Sequence, residues 1–248
     1  MHQSITHNFM LLLTNGAFGG GGEPADIQPM SPYKWRQLVS AATAMNVVRY
    51  ISMGAEMLRE EKYADPALFA ALAATGNGAS EQAFDHTTAH LFNHWTQKAL
   101  EEVREEEMNA QDTSDETLIL LDYIIRNAEY IITKDTSVEG IVEMGCYIRD
   151  GKDRIDYEKL HSWLSRIGLV QIASMEGNML ISCLQFSAEE IPFVTRPFPK
   201  ARRLFMNAVE NVFRKHSFST MTRLNVAMLE TISHRFVNAI SMVTDIEE

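Results

Sequence analysis

An all-α globular fold, bundle-like or orthogonally packed, with about eight to ten helices and no substantial sheet, is what this sequence predicts. Three observations carry that expectation. Apolar residues recur at steps of three and four through most of the chain. Helix-starting side chains stand directly before those runs, at Ser31-Pro32, at Asp65-Pro66 and at Asp156. No convincing run of strand character competes with them. The 248 residues, 46% hydrophobic and 22% charged, supply a core for one helical domain over residues 1–248, with a soft division into 1–110 and 111–248.

Taken in order, Ile5, Phe9, Leu12 and Leu13 form the inner face of a short first helix. Residues 15–29 read as a loop, with Gly19 to Gly22 as its softest part. From Ser31, Trp35, Leu38, Val39, Ala42 and Met45 follow at helical spacing, which predicts one helix running to about Arg59. Asp65-Pro66 opens a short helix that ends over 75–79. Ser80 to Asn109 reads as one long helix, with Phe84, Thr88, Leu91, Trp95 and Ala99 on one inward face. A polar break follows over 109–114. The stretch 117–132 is then apolar around most of its girth and is expected at the centre of the core. Helices are predicted over 137–149, from Asp156 to a C-capping Gly168, and over 169–186. Pro192, Pro197 and Pro199 mark an extended crossing over 191–199, followed by helices at 199–216 and 220–244.

Charge and cysteine content narrow the function. The net charge is −11, which repels a phosphate backbone and disfavours nucleic acid as a partner. Acids crowd 101–116 and bases crowd 196–223. Both read first as solvated helix faces, and second as complementary surfaces, within the chain or between copies in a homo-oligomer. An acidic cluster at a helix C-terminal end also opposes the helix dipole, so fraying is expected there. The 14 methionines fit irregular helical cores. Cys146 and Cys183 read as buried, reduced thiols of a cytoplasmic protein. No run reaches the ~20 apolar residues of a membrane span.

The sharpest local pattern is His86, His90 and His94. Histidines four apart on a helix can share one metal ion, because their side chains emerge on one face. Rise along the helix separates the outer two by about 12 Å, so one zinc ion takes only two of them. The plainer reading is a polar face turned to solvent or to a partner. Gly19 to Gly22 lacks the Gly-Lys-Ser/Thr of a phosphate loop, and Gly76 to Ser80 reads as a linker. Asp153 and Asp156 read as capping and loop residues.

Three stretches carry a family resemblance: NFMLLLTNGAF over 8–18, WRQLVSAATAMNVV over 35–48, and IDYEKLHSWLSRIGL over 155–169 continuing to EEIPF over 189–193. They resemble the helical flanks of a bacterial family of uncharacterised nucleotidyltransferases often found with surface-polysaccharide genes. The resemblance covers about half the chain and rests mostly on hydrophobic pattern. It implies Mg²⁺ held on a nucleotide triphosphate by an Asp-x-Asp pair. That pair is absent from this sequence, and so is a β-rich segment between 80 and 155 to carry it. The resemblance therefore implies a helical shell without its catalytic core. Any nucleotide would need a basic pocket, with Arg196, Lys200, Arg202 and Arg203 as the candidates. The leading expectation is a non-catalytic interaction or accessory protein that binds another protein and needs no cofactor. The alternatives are a nucleotide binder and a metal-binding protein built on the histidine stripe.

Overall fold

The structure, a computed structural model, describes residues 3–19, 26–60, 65–75, 91, 94–133, 136–151 and 153–214. Among them are ten helices and no strand. The described residues up to Thr75, joined by those from Met206 onward, form one compact unit; those from Leu91 to Phe205 belong to a second.

The first unit is built from α1 (Gln3–Phe18), α2 (Pro32–Ala44), α3 (Val48–Glu60) and α4 (Pro66–Ala74). Its buried side chains follow the predicted period: Ile5, Phe9, Leu12 and Leu13 on α1, and Ile51, Ala55 and Leu58 on α3. Phe9 meets Phe213 edge-on, with ring centroids 5.7 Å apart. Fully buried Asn8 clasps the backbone of Gln28 at both ends, donating to its carbonyl at 2.8 Å and accepting from its N–H at 2.9 Å. That pairing ties the 26–31 segment to α1.

Two boundaries differ from the sequence reading. The helix expected from Ser31 to about Arg59 is two helices. At the break, Asn46 takes the left-handed conformation (φ 56°). The Asn46 N–H bonds to the Thr43 carbonyl at 3.0 Å and the Val47 N–H to the Ala42 carbonyl at 2.9 Å, which is a Schellman closure with asparagine in the glycine position. Hydrophobic period runs on through the break, so pattern alone hides it. Asn46→Ala is expected to cost about 1 kcal/mol through left-handed strain, while Asn46→Gly leaves stability unchanged or raises it; thermal melting reads both.

The second boundary is the end of α1, which continues to Phe18 where a loop was expected from Asn15. Gly16 is helical because α3 lies against it. A Cβ there would stand 1.8 Å from the Tyr50 carbonyl oxygen, and one on Gly54 would stand 2.1 Å from that of Leu12. The α1–α3 crossing is thus backbone against backbone, which only a glycine on each helix permits.

The second unit holds α5 (His94–Met108), α6 (Asp115–Thr133), α7 (Val138–Gly151), α8 (Tyr157–Ile167) and α9 (Val170–Cys183). Of helix α10 (Ala201–Arg214), the residues up to Phe205 belong to the second unit and those from Met206 to the first. Helix α6 is central as expected, burying Leu120, Leu121, Ile124, Ile125 and Ala128. Asp156 caps α8 by accepting from the N–H groups of Glu158 and Lys159 at 3.0 and 2.9 Å. Gly168 ends that helix at φ 83°.

Helix α5 departs from expectation. It starts at His94, and Leu91 is not helical; its N–H donates to the Gln97 side chain at 2.8 Å. Trp95, expected inward, is 63% exposed, and Leu100 and Val103 are buried instead. The rest of the expected 80–109 helix, the 220–244 helix, the 76–80 linker and most of the 19–22 glycine run lie outside the described residues. Cys146 and Cys183 form no disulfide and are half-buried, less enclosed than expected.

Among the described residues the acidic cluster finds complementary charge. Besides Lys98 of α5 itself, which meets Glu102, and Arg154, which meets Glu116 at 3.2 Å, its described partners come from α8. Arg166 bridges Glu102 and Glu106, and Lys159 meets Glu107 at 3.0 Å. These cations stand where the dipole of α5 is negative, which offsets the fraying expected of its acidic end.

A candidate buried acidic site

Helix α9 is enclosed on nearly every side. Ile172, Ala173, Ser174, Met175, Glu176, Gly177, Met179 and Leu180 are all buried. Gly177 lets the 191–194 turn close over it: a Cβ there would lie 2.3 Å from a Val194 methyl and 2.8 Å from one of Ile191. In the middle of this helix sits an ionisable group, Glu176, with 0% exposure. Among the described residues neither of its carboxylate oxygens has a hydrogen-bond partner.

The polar group beside it is Asn127 of α6, itself 2% exposed. Its amide Nδ2 donates to the Gly140 carbonyl of α7 at 3.2 Å and reaches the Met144 sulfur at 3.8 Å. Its Oδ1 has no donor. That oxygen packs against the α-carbon of Gly140, where a Cβ would stand 2.1 Å away. Ser137 fixes the start of α7 by accepting from the Gly140 N–H at 3.0 Å. So α6, α7 and α9 meet around an amide, a glycine backbone, a thioether and a carboxyl group.

Burial drives the carboxyl of Glu176 well above its ordinary pKa; the Asn127 amide acts in the opposite direction, more weakly, and completes no hydrogen bond to it. Two other buried oxygens lack partners, the Tyr157 hydroxyl and Gln171 Oε1. Tyr157 stacks on Phe193 at 6.4 Å, and burial followed by the Glu190 carboxylate raises its pKa. The Glu190 carboxylate itself is held down, first by the Ser187 N–H and then by the Arg149 guanidinium that it meets at 3.1 Å.

Sequence reasoning passed over Glu176. The signal was present: it is the one charged residue between Arg166 and Glu189. A lone charge inside a long apolar stretch is a flag in its own right.

The residues singled out from sequence lie elsewhere. Arg196, Lys200, Arg202 and Arg203 gather on one short segment leading into α10. Arg196, Arg202 and Arg203 are exposed and Lys200 is half-buried. Arg202 donates to the Ser182 carbonyl at 2.8 Å, and Asn178 holds the Arg196 carbonyl at 2.9 Å. His86 and His90 lie outside the described residues, and His94 is described only as the first residue of α5. Among the described residues no group of three or more histidine, cysteine or acidic side chains is placed to hold a metal ion. No described helix is long and apolar enough to cross a membrane. Compared with protein-family models, with curated proteins and with solved structures, the chain matches none.

Proposed function

We propose that this chain is a helical interaction protein whose partner is another protein. The observation that supports the reading is a pair of exposed methionines one turn apart on α3. Met53 is 55% exposed and Met57 is 39% exposed. The other side of the same helix is consumed by the core through Ile51, Gly54, Ala55 and Leu58. Adjacent flexible thioethers form an adaptable apolar contact, and residues spaced by four suit a helix laid alongside. Glu56, exposed between them, is engaged among the described residues by Arg59 in an exposed ion pair at 3.3 Å, a pairing that contributes little. The net charge of −11 draws cationic partners. The partner this surface fits is an amphipathic helix with an apolar stripe and a basic flank.

The test compares the protein with a Met53→Glu, Met57→Glu double variant as bait. Both side chains are at the surface, so melting is expected to shift by no more than the equivalent of about 0.5 kcal/mol per substitution. A partner carrying a basic amphipathic helix is expected to bind the unaltered protein and to be lost from the variant. Equal retention by both would overturn the reading. Magnesium-dependent stabilisation by a nucleoside triphosphate, lost on replacing Arg196, Lys200, Arg202 and Arg203, would favour the nucleotide reading in its place. Stoichiometric zinc that depends on His86, His90 or His94 would favour the metal reading.

A further inference from the structure

The buried junction of the second unit supports an inference independent of the α3 surface. We propose that Glu176, sealed without a donor where α6, α7 and α9 meet, is carried there as the neutral acid and works as a proton-dependent latch holding α9 in place. A carboxylate in such a place would need a cation or several N–H donors, and Glu176 has neither. The neutral acid needs only an acceptor, and Asn127, the one described side chain that acts on Glu176 besides burial, carries an Oδ1 without a donor. Gly140 and Gly177 show how tightly the neighbouring elements close, since a single added carbon would collide on either side.

Among the described residues no charged group is seen to act on Glu176. Asn127 comes from α6, and Gly140 and Met144, on which the Asn127 amide rests, come from α7. Ile191 and Val194 close over the next residue of α9. The charged residues nearest those positions in sequence, Arg126 and Glu129 on α6 and Glu139 and Glu143 on α7, are half-buried. Among the described residues, neither these nor any charged group of α8 or the 184–195 segment acts on the Glu176 titration, in which burial dominates and the Asn127 amide opposes.

The sign follows from linkage. The folded carboxyl holds its proton to higher pH than the unfolded one, so its contribution to stability is fully present below the ordinary glutamate range. That contribution is lost as pH rises from there through the raised folded value. Within this window the folding equilibrium constant falls by up to tenfold per pH unit. The ionised group gains water by local opening of α9.

The experiment measures denaturant unfolding and amide hydrogen exchange against pH for the full chain and for Glu176→Gln. The glutamine keeps the shape, removes the charge, and offers a donor toward Asn127. The two proteins are expected to diverge with rising pH, with the variant the more stable and α9 amides of the unaltered protein losing the extra protection. Parallel stability curves and parallel exchange would overturn the proposal. Infrared difference spectra between the unaltered protein and the variant at neutral pH give a direct readout. The stretch of an un-ionised carboxylic acid supports the latch, and carboxylate bands sink it. Should Glu176→Gln fail to fold, isotope-edited spectra of the unaltered protein against Glu176→Met decide by the same two bands.

Discussion

Gly16→Val is expected to unfold the first unit, and Gly16→Ala to destabilise it by about 3 kcal/mol or more, at or beyond the upper end of ordinary overpacking. In most helices glycine to alanine is stabilising by about 1 kcal/mol, because alanine loses less backbone entropy. The reversal here has a structural cause. The added carbon would lie 1.8 Å from the Tyr50 carbonyl oxygen and 2.6 Å from the Gly54 nitrogen, and both atoms are backbone. A clashing side chain can rotate away, whereas a helix backbone can only move as a whole. Relief therefore requires α1 and α3 to separate, which opens the packing of Phe9, Leu12, Leu13, Ile51 and Leu58, all fully or almost fully buried. Gly54→Ala should behave alike, since its carbon would meet the Leu12 carbonyl at 2.1 Å. The double variant should cost less than the sum of the two, because one separation relieves both collisions. Denaturant unfolding of the three variants checks this, and simple additivity would mean that the helices do not yield as rigid bodies.

The same crossing shows where sequence is and is not legible. Asn15-Gly16 looks like the start of a loop because a turn and a helix crossing both call for glycine. Only the partner helix, 38 residues further on at Gly54, distinguishes them. The caps at Ser31, Asp65, Asp156 and Gly168 were readable because each is a contact between a side chain or turn and backbone within a few residues. The break at Asn46 was not, since asparagine is also an ordinary helix residue and the apolar period continues through it. Arg166 pairing with Glu102 and Glu106 joins positions about 60 residues apart, and composition fixes no such partner. Glu176 was visible as an isolated charge, but its meaning depends on complete burial and on Asn127 of another helix.

Trp35→Ala should be the most damaging side-chain truncation in the first unit, at about 3–5 kcal/mol for loss of a large buried aromatic. Trp35 is 0% exposed, and its indole N–H donates to Asp65 Oδ2 at 2.8 Å. The other oxygen of that carboxylate accepts from the Ala67 N–H at 2.9 Å and so caps α4. One carboxylate thereby fastens α2 to the start of α4. Trp35→Phe keeps most of the buried area and abandons only the bond, for an expected loss of about 1–3 kcal/mol. Asp65→Ala removes the cap and strands the indole donor, so it should exceed the ~1 kcal/mol of an ordinary N-cap loss, for which Ser31→Ala is the control. Trp35→Phe and Asp65→Ala share one hydrogen bond and should combine to less than their sum. If Asp65→Ala costs no more than Ser31→Ala, the carboxylate is a cap alone and the indole bond contributes nothing. Binding separates the two kinds of effect as well. Trp35→Ala should abolish partner binding by melting the unit that carries Met53 and Met57, whereas the glutamate pair on α3 should abolish it with the melting transition intact. Loss of binding in parallel with loss of structure in both cases would remove α3 as the docking face.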